Sequence, residues 1–185
     1  MKRAPHSFVV SRGNTGKCIE RLMKDFRKVM EPNTASNLKS TEKNSIKDFV
    51  SLAGPLHVTH LVMFSRSELS PYLRLCRLPH GPTLTFKIVE YSLSKDVISI
   101  QKRPNTYDKQ FATHPLVVLN NFAGEEMKLQ LMTSMFQNMF PSINIATVRC
   151  FSYLNIIEII FNLLIRCFVG ETKHDSPLRS FALLP

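Results

Sequence analysis

Two alternating segments joined by a Pro-Gly turn constrain the fold of this chain more than any other feature. Tyr72 to Leu78 and Thr83 to Tyr91 flank the turn Pro79-His80-Gly81-Pro82. Alternation of apolar and polar residues is typical of strands, and the turn predicts that the two strands form a β-hairpin. One side of this hairpin is apolar, with Leu73, Leu75, Leu84, Phe86 and Ile88. The other side is basic and carries hydroxyl groups, with Arg74, Thr85 and Lys87.

Short motifs follow one another in order from residue 5 to about 148, on both sides of the hairpin. They include Pro5-His6-Ser7-Phe8-Val9, Val29-Met30-Glu31-Pro32, Lys43-Asn44-Ser45, Ala53-Gly54-Pro55-Leu56, Tyr91-Ser92-Leu93 and Met135-Phe136-Gln137-Asn138-Met139-Phe140-Pro141. This series resembles the Brix-domain proteins of ribosome assembly, and within them the Peter Pan subgroup. So many motifs in one order argue against a chance match.

The resemblance implies a fold and a function. A Brix domain has two similar α/β halves, related to anticodon-binding modules, packed into one body. The implied function is that of a nucleolar assembly factor of the large ribosomal subunit. Such a factor acts without catalysis or a cofactor, and it binds precursor ribosomal RNA and other large-subunit assembly factors in the nucleus.

Hydrophobic periodicity predicts strands and helices that alternate irregularly around one sheet, which indicates a mixed α/β fold with flanking helices. The predicted strands are Ser7–Ser11, His60–Ser65, the hairpin and Leu116–Phe122. The predicted helices run from about Cys18 to Met30, near Ser45–Ala53, over Leu93–Gln101, and through Leu129 to Phe140 before Pro141.

The segment from Cys150 to Val169 is unusual, because 15 of its 20 residues are apolar. Its polar residues recur at helical spacing and share roughly a third of a helix circumference. Glu158 and Arg166 would each cost roughly 2.5 to 3.5 kcal/mol near the centre of a bilayer, so a membrane segment is not favoured. We expect a helix packed on the domain, with a disordered or aggregating tail and a membrane segment as alternatives.

The recognisable motifs end near residue 148. We therefore expect residues 1–148 to form a partial Brix domain, comprising its first half and the lead into the second. Residues 149–185 then form a divergent tail that is helical to about 169 and disordered beyond. This pattern predicts a truncated or alternatively spliced product.

The charge of the chain favours an anionic partner. The formal net charge is +10, the pI is about 9.7, and residues 1–50 hold 11 Lys/Arg against 5 Asp/Glu. A strongly basic segment is typical of nucleic-acid binding. The alternative is a surface that is cationic without a specific partner.

The loop from Arg12 to Lys17 is the candidate binding site for a phosphate. Its spacing fails as a Walker A loop, because Ser11 replaces a required Gly and Cys18 replaces the Ser/Thr that binds Mg²⁺. Gly13, Gly16 and the N-H groups at a helix start can still hold a phosphate of RNA. The helix continues this site with a basic stripe of Arg21, Lys24 and Lys28. The alternatives are a glycine turn that serves geometry alone and an ordinary solvated helix face.

Arg66, Arg74, Arg77, Thr85 and Lys87 are further candidates for contacts with RNA phosphates. We predict a structural role for His57 and His60, since no third ligand has suitable spacing for a metal. The four cysteines lack the spacing of a zinc site, and no signal segment supports a secreted disulfide framework.

No nucleophile and base, or pair of carboxylates, stands in a recognisable catalytic pattern, so the sequence predicts neither an enzyme nor a small-molecule substrate. A second hypothesis is a protein-interaction module whose basic surface binds an acidic partner. A third is a membrane-associated or inactive product of the divergent tail.

Overall fold

Five strands and four helices make up the part of the chain that the computed structural model describes, residues 4–39, 44–102, 117, 119, 127–142 and, as backbone only, 166–169. In chain order the elements are β1 His6–Arg12, α1 Gly16–Val29, α2 Ile46–Ala53, β2 Val58–Arg66, β3 Pro71–Arg77, β4 Thr83–Glu90, α3 Ser94–Ile100, α4 Met127–Met139 and β5 Arg166–Val169. Most of the predicted elements are therefore confirmed within a few residues at each end.

The strands form one sheet in the order β1-β2-β3-β4-β5. β1 pairs with β2 in parallel, and the remaining pairs are antiparallel. A parallel pair needs a crossover, which here contains α1 and α2. The predicted mixed α/β fold with flanking helices is confirmed.

The predicted hairpin is formed by β3 and β4, with Leu73 opposite Phe86 and Arg74 opposite Thr85. Its turn requires glycine at position 81. A Cβ at Gly81 would lie 2.5 Å from the Cβ of Arg77, closer than side-chain atoms approach one another. The Gly81 N-H instead donates to the Arg77 carbonyl at 3.0 Å.

One face of the sheet, which we name the α1 face, carries the main core. Along it the side chains of Val9, Val62, Phe64, Leu73, Leu75, Phe86 and Ile88 cluster with Ile19, Leu22 and Met23 of α1 and with Met132, Met135 and Met139 of α4. Phe26 adds an edge contact to Phe64, with ring centroids 5.7 Å apart. The apolar sides of α1 and α4 thus face the sheet.

The opposite face, which we name the α2 face, is apolar mainly over β1 and β2, with Cys76 of β3 packed at the border of this cluster. There Phe49 and Ala53 of α2 cluster with Phe8, Leu61 and Met63. α2 begins at Ser45, whose side chain and backbone form a capping box with Asp48. Farther along the same face, β3 and β4 present the polar side chains Tyr72, Arg74, Thr85 and Lys87.

A buried arginine that the sequence analysis did not identify stabilises the outer edge of β1. Arg27 is 7% exposed, and its Nε and Nη2 atoms donate to the Val9 carbonyl at 2.9 and 2.7 Å. Asn33 and Thr34 cover the same edge through hydrogen bonds with the backbone of Ser7. Backbone groups at an edge strand that lack a partner invite pairing with other chains, so these contacts protect the sheet.

The prediction that the tail helix extends to about residue 169 is wrong. Residues 166–169 form β5, which pairs antiparallel with β4. The open edge of β4 offers backbone groups to a run of Cys, Phe and Val, and aromatic and β-branched residues suit strands. The rest of the predicted helix, from 150 to 165, lies outside the described residues.

The predicted strand Leu116–Phe122 also lies outside the described residues, except for Val117 and Leu119, which are half-buried and in no regular element. Within the described ranges, no helix combines the length and the apolar character that a bilayer crossing requires.

Candidate nucleic-acid interface

The glycine loop between β1 and α1 turns the chain so that α1 packs back onto the sheet. Gly13 has a φ of 71° and Gly16 has a φ of 78°. Both values lie in the left-handed region, which only glycine adopts without a steric cost. The two glycines that the sequence pattern identified are therefore needed for the geometry of the loop.

The N-terminus of α1 receives no cap from its own N-cap side chain. Thr15 is buried and makes no capping hydrogen bond, and its Oγ1 atom has no partner among the described residues. Lys17 is exposed in the first turn, which contains no acidic residue. Backbone N-H groups and the helix dipole at such an end favour an anion.

Arg66 lies at the same loop, although it is 50 residues farther along the chain. Its Nη1 atom is 3.2 Å from the position that a Cβ on Gly16 would occupy. The sequence predicted Arg66 and the glycine loop as separate candidates, and the fold brings them together. We name the group Gly13, Gly16, Lys17 and Arg66 the loop site.

A cleft of about 340 Å³ opens beside Arg66 and the first turn of α1. Cys18, Glu68, Ser70 and Tyr91 contribute to its lining. Burial and the neighbouring Cys18 raise the pKa of the Tyr91 hydroxyl. Because the cleft holds a carboxylate as well as Arg66, it favours phosphate less than the basic side of the loop.

The basic stripe of α1 continues from the loop site along the outer side of the helix. Lys17, Arg21, Lys24 and Lys28 follow at steps of four, three and four residues, and all four side chains are exposed. Ile19, Leu22 and Met23 occupy the buried side. The predicted exposure of the stripe is therefore confirmed, whereas its contacts with RNA stay a prediction.

The basic side of the hairpin lies on the other side of the sheet from this stripe. Arg74, Thr85 and Lys87 belong to the α2 face, whereas α1 packs on the opposite face. Arg12 ends β1 opposite Ser65, on the α2 face. The candidate residues therefore form two surfaces, and Arg12 lies with the hairpin residues rather than with the stripe.

Arg77 belongs to neither surface. Strand alternation places it with Leu73 and Leu75 on the α1 face, and it lies opposite His60 in the register. Its position at the end of β3 explains why it is exposed while its strand neighbours are buried. Arg77 and Arg74 therefore lie on opposite faces of the sheet, and the contact of Arg77 with RNA stays a prediction.

His60 occupies a structural position inside the sheet. It is 1% exposed, its Nδ1 atom lies 2.8 Å from the Thr59 hydroxyl, and its Nε2 atom has no partner among the described residues. Burial, with a smaller effect from the charge of Arg77, lowers the pKa of His60 to about 4. A histidine in this environment is neutral at pH 7.

The described residues bring together no group of three metal-binding side chains. In the same part of the chain Cys18 and Cys76 are free thiols. The geometry thus assembles cations around a glycine loop on one side of the sheet, and cations with hydroxyl groups on the other.

Comparison with known proteins decides the family. The family model described as Brix domain matches residues 12–176. This chain belongs to the Brix domain family. The match extends past position 148, where the recognisable motifs end, and across most of the tail.

Curated relatives of this chain come from animals and yeast. The Homo sapiens protein named Suppressor of SWI4 1 homolog is 49% identical over 172 residues, which are 93% of this chain and 34% of the human protein. Protein Peter pan of Drosophila melanogaster is 49% identical over 146 residues, 79% of this chain and 32% of the fly protein. Ribosome biogenesis protein SSF1 of Saccharomyces cerevisiae is 40% identical over 172 residues, 85% of this chain and 37% of the yeast protein. The chain thus spans about a third of the length of these relatives.

Proposed function

We propose that this chain acts in ribosome biogenesis, as a nucleolar factor that binds precursor ribosomal RNA during assembly of the large subunit. The yeast relative, ribosome biogenesis protein SSF1 at 40% identity, supports the role in ribosome biogenesis. The excess of basic residues in the first 50 positions supports an RNA partner. On this proposal residues 1–148 supply the first half of the Brix domain and the lead into the second.

The convergence of Arg66 and Lys17 on the uncapped N-terminus of α1 is the observation that carries the proposal. A phosphate at the loop site meets N-H groups, the helix dipole and two cations. The exposed stripe Arg21, Lys24 and Lys28 then continues along the helix for further phosphates. Such contacts fix the position of an RNA backbone and respond to its shape more than to its sequence.

The proposed activity is binding without catalysis. Lysine and arginine side chains that hold phosphates position the RNA, and they supply no reacting group. The domain then acts as a scaffold that holds RNA in a state which later processing steps use. Neither a cofactor nor a small-molecule substrate takes part in this mechanism.

A salt titration on a structured fragment of ribosomal RNA tests the loop site and the stripe. The triple variant Lys17→Ala, Arg21→Ala and Lys24→Ala removes three exposed cations from α1. We expect weaker binding. The slope of log K against log salt should be smaller in magnitude by about 2 to 3, because the variant neutralises fewer phosphates and its binding releases fewer counterions.

A variant with the same change in charge controls for net charge. Lys39, Lys47 and Lys95 are exposed outside α1, and their triple change to Ala leaves the loop site intact. We expect this control to keep most of the affinity and slope. Equal losses in both variants would show that net charge alone attracts the RNA, and the proposed site would be wrong.

A second proposal concerns protein partners, namely other assembly factors of the large subunit. Leu52 and Leu56, at the end of α2 and just after it, are 53% and 57% exposed. Apolar side chains that are exposed next to one another are typical of contact surfaces. Affinity purification with and without nuclease distinguishes direct protein contacts from contacts made through RNA.

A further inference from the structure

The register of the sheet aligns four side chains in one row across the α2 face. Arg12 lies opposite Ser65, Ser65 lies opposite Tyr72, and Tyr72 lies opposite Lys87. Neighbouring strands are about 4.8 Å apart, so the row spans about 14 Å from β1 to β4. Arg12 and Lys87 are exposed at its two ends, and Tyr72 and Ser65 are half-buried between them.

The next row on the same face adds a cation and a hydroxyl group. Arg74 lies opposite Thr85, and both are half-buried. On the other side of Arg74 the row reaches Met63, which packs with α2. The polar area therefore begins where the cover of α2 ends. We name the group Arg12, Ser65, Tyr72, Arg74, Thr85 and Lys87 the Tyr72 platform.

The chemistry of the Tyr72 platform is that of a nucleotide-binding surface. One aromatic ring is surrounded by three cations and three hydroxyl groups, counting its own, and the platform contains no carboxylate. Bases stack on exposed rings of sheet surfaces, cations hold the phosphates beside them, and hydroxyl groups can pair with a ribose 2′-OH. A sheet face that served only to pack against an apolar partner would carry apolar side chains instead of cations and hydroxyl groups.

We propose that the Tyr72 platform binds an unpaired segment of RNA, with a base stacked on Tyr72 and with phosphates held by Arg12, Arg74 and Lys87. This inference rests on the proposed function. It extends that function with a second site, which binds single-stranded rather than folded RNA. The loop site and stripe hold the backbone of folded RNA, and the Tyr72 platform holds a single strand. An acidic peptide would use the cations and leave the ring without a role.

Binding of the full chain to a single-stranded oligoadenylate and to a duplex RNA tests the proposal. Tyr72→Leu removes the ring and keeps an apolar side chain in the strand. We expect it to weaken binding of oligoadenylate about tenfold, which is within the contribution of one base stacked on an aromatic ring. Binding of the duplex should be unchanged. Tyr72→Phe should bind oligoadenylate like the original chain, because it keeps the ring.

A tryptophan probe gives a readout that does not depend on affinity. The chain contains no Trp, so Tyr72→Trp places a single indole on the platform. Stacking should quench its fluorescence when oligoadenylate binds. Ile100→Trp, at a side chain that is 83% exposed and belongs to neither basic surface, is the control and should keep its fluorescence.

Two results would overturn the proposal. One is oligoadenylate binding that Tyr72→Leu leaves unchanged, and the other is an indole at position 72 that is not quenched. Binding of polyglutamate that matches oligoadenylate and ignores Tyr72 would identify a protein-docking surface instead. The α1 triple variant tests the loop site separately, so failure of the Tyr72 platform leaves the proposed function standing.

Discussion

The two faces of the sheet are built from the same strands but are covered by helices to different extents. On the α1 face, helices α1 and α4 cover apolar side chains from β1 to β4. On the α2 face, one helix of eight residues covers β1 and β2, and most side chains of β3 and β4 are polar. The comparison shows that alternation in a strand specifies two surfaces at once, an apolar one for the core and a polar one.

The two basic surfaces differ in the same way. The stripe lies on the exposed side of α1, and the loop site joins the start of that helix to Arg66 at the end of β2. The Tyr72 platform lies on the strands themselves, next to the core of the α2 face. Substitutions on the two faces should therefore separate stability from binding.

The largest effect is expected from the centre of the α1 face. Phe64 is fully buried, and Phe64→Ala should lower the free energy of unfolding by about 3 to 5 kcal/mol because it leaves a cavity. Lys87→Ala, on the exposed part of the α2 face, should change it by less than about 0.5 kcal/mol. Denaturant unfolding measures both. Equal effects would contradict the assignment of the core to the α1 face.

The next largest effect is a dependence on pH that originates at His60. Its pKa is about 4 in the fold, below the ordinary 6.5, so between these values the unfolded chain binds more protons than the folded one. The contribution of neutral His60 to the free energy of unfolding is therefore fully present above pH 6.5. It falls by about 3 kcal/mol as the pH drops towards 4. In His60→Met this loss should be absent from unfolding curves measured at pH 7 and pH 4.5. A variant as sensitive to pH as the original chain would show that other groups cause the loss.

A smaller effect is expected at the outer edge of β1. Arg27→Met removes both hydrogen bonds to the Val9 carbonyl and should cost about 2 kcal/mol of unfolding free energy. The same change at the neighbouring cation, Lys28→Met, serves as the control, because the Lys28 side chain is exposed. Denaturant unfolding should show the control to be nearly neutral. A neutral Arg27→Met would mean that the edge needs no partner.

The smallest effect on stability is expected at the loop site. Gly16→Ala forces a left-handed backbone on alanine and crowds Arg66, so it should cost about 1 kcal/mol and weaken RNA binding. Gly54→Ala is the control, because its backbone is helical and the space around it is open. If RNA binding is unchanged in Gly16→Ala, the loop geometry is not needed for the site.

Local patterns predicted α1, α2, α4 and the hairpin with its apolar side, because the periods of helices and strands can be recognised in neighbouring residues. They could not predict contacts between distant segments. The position of Arg66 beside Gly16 and the contact of Arg27 with Val9 depend on how β1, β2 and α1 pack.

The sequence also did not show that α1 and the basic side of the hairpin lie on opposite faces of the sheet, for the same reason. The patterns identified basic residues on α1 and on the hairpin, but the side of the sheet on which α1 packs is a property of the crossover between β1 and β2. The strand β5 was missed because an apolar run is compatible with helix or strand until an open edge selects one.

Two triple variants measured on two RNAs test the central claim that the chain binds RNA through separate surfaces. The α1 variant lacks Lys17, Arg21 and Lys24, and the α2-face variant lacks Arg12, Arg74 and Lys87, with Ala at each position. We predict that the first reduces the salt slope for duplex RNA by about 2 to 3 and that the second reduces binding of the single strand alone. Equal losses on both RNAs from either variant would contradict the account.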